Sequence, residues 1–103
     1  MKIYQFKTEN FRIVVDTEPE HYPDFSFDET GETREKVESG EWECFIARAT
    51  LYCNDMKIAR DYLGQCIYEN PKDFRNEPYF SDMVRNVISE GRYFLESLPK
   101  LRK

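Results

Sequence analysis

The sequence is poor in the residues that most often carry chemistry. It has one histidine, His21, and three cysteines, Cys44, Cys53 and Cys66. No Cys-x-x-Cys pair occurs, so the closely spaced ligand pairs of structural zinc sites are missing. A site assembled from His21 and the three thiols is stoichiometrically allowed. However, Cys44 and Cys53 differ by an odd number and face opposite sides of one regular strand. Buried, reduced thiols are the simpler expectation. The four glycines, at 31, 40, 64 and 91, stand alone. That spacing excludes a phosphate-binding loop and a dinucleotide turn. No nucleophile elbow and no His-Glu-x-x-His helix is present. The stretch Asp16–Glu20 lacks the glycine and ligand spacing of a calcium loop. We therefore expect no enzyme, no catalytic residue, no metal site and no cofactor. No apolar run reaches the roughly 20 residues that span a bilayer. Met1–Phe6 has no apolar core or cleavage site of a signal peptide, so a cytoplasmic protein with no membrane partner is expected.

What the chain does have is aromatic residues, carboxylates and one long amphipathic stretch. Its 103 residues include eight Phe and seven Tyr, enough rings for the core of one domain over 1–103. From Pro78 to Leu98, apolar residues fall at Phe80, Met83, Val84, Val87, Ile88, Phe94, Leu95 and Leu98. This is the three–four rhythm of one helix face. Asp82, Arg85, Asn86, Ser89, Glu90, Arg92 and Glu96 form the solvated face, and Pro99 is expected to stop the helix. Gly91 lies on the apolar side, where it suits close contact with a sheet at about 1 kcal/mol of helix propensity.

That sheet is legible too. Residues 2–7 and 11–16 read as a hairpin around Thr8-Glu9-Asn10. Trp42–Cys53 reads as a long strand with Phe45, Ala47, Ala49, Leu51 and Cys53 on one face. Asn54-Asp55 is a two-residue turn, and Met56–Asp61 returns. The turn predicts Cys53 opposite Met56, Leu51 opposite Ile58, and an Arg48–Asp61 charge pair. Residues 63–68 either extend this strand or form another, with Gly64 allowing a bulge. Asn70 and Pro71 open a short helix through Arg75. Residues 32–39 form another, with a Glu32–Lys36 pair and Gly40 as its C-terminal cap. The expected fold is α+β: a three- to four-stranded antiparallel sheet covered on one face by the long helix, with one or two short helices.

Charge is unevenly spread. Net charge is −5, yet residues 16–43 hold eleven acidic side chains against Arg34 and Lys36. Residues 1–15 and 44–103 are each slightly basic. From Asp16 to Gly31, Pro19, Pro23 and the carboxylates argue for an extended loop pinned by Tyr22, Phe25 and Phe27. One reading is a solvated loop that keeps the chain soluble. The sharper one is a docking surface for a basic protein, because a dense negative field can imitate the phosphate backbone of DNA. Its residues would be Glu18, Glu20, Asp24, Asp28, Glu29, Glu32 and Glu35, with Tyr22, Phe25, Phe27 and Trp42 as apolar anchors. The same field disfavours direct nucleic-acid binding.

Glu38–Phe45 and Asp61–Glu69, extending to Tyr79–Val84, resemble small acidic accessory proteins of phages and mobile elements. The resemblance covers roughly the C-terminal two-thirds. In that group the second stretch often carries a double glycine before the cysteine, where this chain has Gln65. No functional residue transfers, because the group has no agreed activity. The resemblance implies a phage-type protein in a bacterial host. Its acidic profile matches that of anti-CRISPR inhibitors, with a CRISPR effector or nuclease as partner. A metal- or thiol-dependent protein and a homodimeric accessory protein are the alternatives.

Overall fold

The computed structural model describes residues 1–101. Of the basic tail expected at Lys100–Lys103, Arg102 and Lys103 lie outside the described residues. Strands β1 (Lys2–Lys7), β2 (Phe11–Pro19), β3 (Glu43–Cys53) and β4 (Met56–Tyr68) form one antiparallel sheet in the order β1-β2-β3-β4. Helix α1 (Glu32–Glu38) lies between β2 and β3. A 3-10 helix (Pro71–Asn76) and helix α2 (Pro78–Leu101) follow β4. This is the expected α+β architecture. The molecule is 59 Å long and only 24 by 22 Å across.

β2 runs three residues beyond the expected strand end, because Thr17, Glu18 and Pro19 pair with Ala47, Ile46 and Phe45 of β3. The loop therefore begins at Glu20 rather than Asp16. At the other end of the sheet, Asn54 and Asp55 both take positive φ, 49° and 67°, as the tight turn requires. Cys53 pairs with Met56 as expected, but the register then shifts, and Leu51 faces Ala59 rather than Ile58. The extra residue on β4 puts Ile58 under α2. It also removes the expected Arg48–Asp61 pair. Arg48 lies opposite Tyr62, and its guanidinium donates two bonds of 2.8 and 2.9 Å to Asp16 on β2. Asp61 accepts instead from the Asn86 amide of α2 at 3.1 Å.

α2 covers the face that carries Ile13, Val15, Ala47, Ala49 and Leu51, and it buries Met83 and Val87 there. Gly91 comes so close to Leu51 Cδ2 that a Cβ would clash with it, which accounts for a glycine in the helix interior. The 3-10 helix opens with Asn70 Oδ1 accepting the Lys72 N–H at 3.0 Å. It delivers Phe74 into the centre of the core. Phe74 is fully buried, edge-on to Phe45, Tyr68 and Phe80 at ring distances of 6.3, 6.0 and 6.5 Å.

Two features of α2 depart from expectation. The helix passes Pro99 and is described as far as Leu101. Proline's fixed φ of about −65° is a helical value, and near a helix end it removes one N–H from the ladder. Ile88, expected in the core stripe, is instead 36% exposed. No helix among the described residues is long and apolar enough to cross a membrane.

Candidate functional site

The acidic segment forms an arm, residues 20–42, that leaves the sheet where β2 ends and returns where β3 begins. Its backbone is tied down along its length. The Glu20 N–H donates to the Cys44 carbonyl at 3.0 Å. Asp24 meets Gln65 on the edge strand β4 in a two-way bond. The Asp24 N–H donates to Gln65 Oε1 at 2.8 Å, and Gln65 Nε2 donates to the Asp24 carbonyl at 2.6 Å. The primary amide of Gln65 thus does what a neighbouring backbone would do at a sheet edge.

Gln65 can do this because of where β4 bulges. Phe45 pairs with Cys66 but Ala47 pairs with Leu63, leaving Gly64 and Gln65 as the irregular step. The bulge falls where Gly64 predicts it. The left-handed residue, however, is Gln65, with φ 56°, a conformation that costs a non-glycine residue about 1 kcal/mol or more. The Glu20 carboxylate lies beside Gly64, with Oε2 3.4 Å from where a Cβ would stand, an ordinary contact distance. Asp24 is the residue that docks on this bulge. Gln65→Gly is expected to relax the bulge yet free the arm, so limited proteolysis should cut within residues 20–31 several-fold faster than in the parent. An unchanged cleavage rate would mean the amide clamp does not hold the arm.

Beyond the clamp, Asp28 Oδ2 accepts the Arg34 N–H at 2.9 Å and Thr30 Oγ1 accepts the Glu32 N–H at 3.3 Å. These bonds satisfy donors at the start of α1, where Gly31 at the N-cap position has no side chain to do so. Gly40 closes the helix with φ 85° and an N–H bond to the Val37 carbonyl at 3.1 Å. The expected Glu32–Lys36 pair does not form. Lys36 turns the other way, stacks 4.5 Å over the Trp42 ring and reaches Glu41 at 4.0 Å. Arg34 pairs with Glu38 at 2.9 Å. Both cations of the arm are thus engaged by the arm itself.

These contacts sort the expected binding residues into two groups. Glu29, Glu32 and Glu35 are exposed, and so is Asp24, whose carboxyl is held below its ordinary range by hydrogen bonding from Ser26. Glu18 is exposed but sits on β2, outside the arm. Glu20, Phe25, Asp28 and Trp42 are half-buried and build the arm rather than decorate it. Of the four aromatic anchors, the exposed ones are Tyr22 at 93% and Phe27 at 57%, the latter leaning on Phe25. Sequence reasoning misses Gln65 as a site residue; Gly64 signals a bulge beside it, but only the fold brings Asp24 to that bulge.

One other surface is of opposite sign. By register, the sheet face away from α2 carries Lys7, Arg12, Arg48, Lys57 and Arg60 with Asp16 and Glu18 among them. Arg12 stacks on Tyr52 at 4.1 Å. α2 carries both signs, with Arg85 paired to Asp82 at 3.3 Å.

The thiols are free; Cys44 and Cys66 are buried, and Cys53 is half-buried. Burial, with a smaller contribution from Glu20, pushes the Cys44 thiol up. Burial pushes Cys66 up to about 11. Both are protonated at neutral pH and poorly suited to nucleophilic attack. Among the described residues, no group of three His, Cys, Asp or Glu is placed to hold a metal. No family model, no curated protein and no solved structure matches the chain.

Proposed function

We propose that this chain acts without catalysis, as a stoichiometric inhibitor whose acidic arm occupies a basic, nucleic-acid-binding surface of a protein partner. The observation that carries the reading is the ordered gathering of charge. Eight carboxylates stand against two cations over residues 20–42, and both cations are paired within the arm. Along α1, Glu32, Glu35 and Glu38 follow one another by about 4.5 Å of helix rise. Phosphates follow one another by about 3.4 Å along one strand of duplex DNA. Tyr22 and Phe27 supply exposed rings beside the charges, the kind of anchor that gives such a contact affinity as well as rate.

The proposed partner class is a bacterial defence nuclease, with CRISPR effectors foremost. Two things support it: the arm's phosphate-like field and the resemblance of residues 38–45, 61–69 and 79–84 to phage accessory proteins. Such a partner would place the activity in the cytoplasm of an infected bacterium. The test is to titrate the protein into CRISPR effectors of several types carrying labelled target DNA. We expect one effector type to lose its DNA at a one-to-one ratio. Undisturbed DNA binding by every effector at a large excess of the protein would contradict the assignment.

A further inference from the structure

The far end of the molecule carries a second surface, apolar and distant from the arm. Gly91 packs on Leu51 and Ile58, and beyond it residues 92–96 of α2 overhang the β1–β2 hairpin. Between this overhang and the β1–β2 hairpin lies an open groove of about 510 Å³. Its walls are Phe6, Phe11 and Leu51 on the sheet side, and Ile88 and Leu95 on α2. Phe6 is 53% exposed, Phe11 38% and Ile88 36%. Clustered rings and branched side chains at that exposure mark a surface made to be covered.

The charges on the groove indicate the occupant. Its two charged lining residues are Arg92 and Glu96, opposite in sign and one helical turn apart. Both are exposed, and among residues 1–98, whose side chains are described, no ion pair joins them to each other or to a third group. A fatty acid in the groove would satisfy Arg92 but leave Glu96 against its tail. A second α2 running antiparallel, related by a two-fold axis near residue 94, satisfies both. Arg92 of each copy then lies opposite Glu96 of the other, twice over, as a self-complementary contact requires.

We infer that the C-terminal half of α2 and the Phe6–Phe11 hairpin form a homodimer contact. Leu95 of each copy enters the groove of the other, and crossed Arg92–Glu96 pairs set the register. The inference goes beyond the reading of the arm and stands without it. If both hold, the arms project from opposite ends of the dimer and can engage two partner sites at once.

Light scattering on the full chain, up to about 0.2 mM where weak dimers are populated, tests this with designed charge swaps. The parent should show twice the 12.4 kDa chain mass. Arg92→Glu and Glu96→Arg should each be monomeric, because each sets like charges across the two-fold axis. An equimolar mixture of the two should recover the dimer. One chain then carries acidic side chains at both positions 92 and 96, the other basic side chains at both, and each crossed pair again joins opposite charges. That recovery cannot arise from a change within one helix. A parent that stays at chain mass, a single swap that keeps the dimer, or a mixture that stays monomeric would each overturn the inference. So would native mass spectrometry showing one chain carrying a fatty acid.

Discussion

Replacing Phe74 by alanine is expected to remove about 3–5 kcal/mol of stability. The ring is fully buried and is the one that Phe45, Tyr68 and Phe80 all meet edge-on. Its loss costs the transfer free energy of the side chain, the cavity left behind and three aromatic contacts. A domain of this size holds roughly 5–15 kcal/mol in total, so the variant should be marginal. Its melting temperature should fall by on the order of 12–40 °C. Phe27→Ala is the matched control. That ring is 57% exposed on the arm, and its removal should change stability by about 0.5 kcal/mol or less. Equal melting shifts for the two variants would place the core elsewhere. Phe74 also joins the 3-10 helix to both the sheet and α2, so its effect reports whether the short helix is structural.

The second large effect is expected on binding rather than stability. The triple change Glu29→Gln, Glu32→Gln and Glu35→Gln removes three exposed charges and keeps side-chain size. At roughly 0.5–1 kcal/mol per contact, affinity for the basic partner should fall on the order of 10–100-fold. Stability should change little, apart from a small loss of favourable charge near the start of α1. Asp28 is deliberately left intact. Its carboxylate holds the Arg34 N–H, so changing it would alter the arm's shape and its charge together. Preserved affinity in the triple variant would remove these three carboxylates from the contact.

The sequence and the structure agree where local patterns decide, and part where distant segments meet. The Asn54-Asp55 turn, the Asn70 cap and the α2 stripe each follow from neighbours along the chain. The partner of Arg48 does not. Asp16 lies 32 positions away and comes opposite only because β2, rather than β4, supplies the acidic neighbour. One inserted residue near Tyr52 shifts the β3–β4 register and carries Ile58 beneath α2. The same limit applies to the site. That residues 16–43 are acidic is plain from composition, but which of them are free depends on contacts that composition does not contain. Trp42 reads as an anchor in the sequence, yet Lys36 covers its ring. Gln65, 41 positions from Asp24, is recognisable as the clamp only once the bulge beside Gly64 is seen.

The negative charge of one ordered arm is proposed to grip a cationic protein surface. The most direct test is the dissociation constant of the inhibited effector complex, for the parent and the triple variant, across about 50 to 300 mM salt. Affinity of the parent should fall steeply with salt, and that of the variant along a distinctly shallower slope. A parent slope near zero, or identical slopes for the two proteins, would contradict the claim.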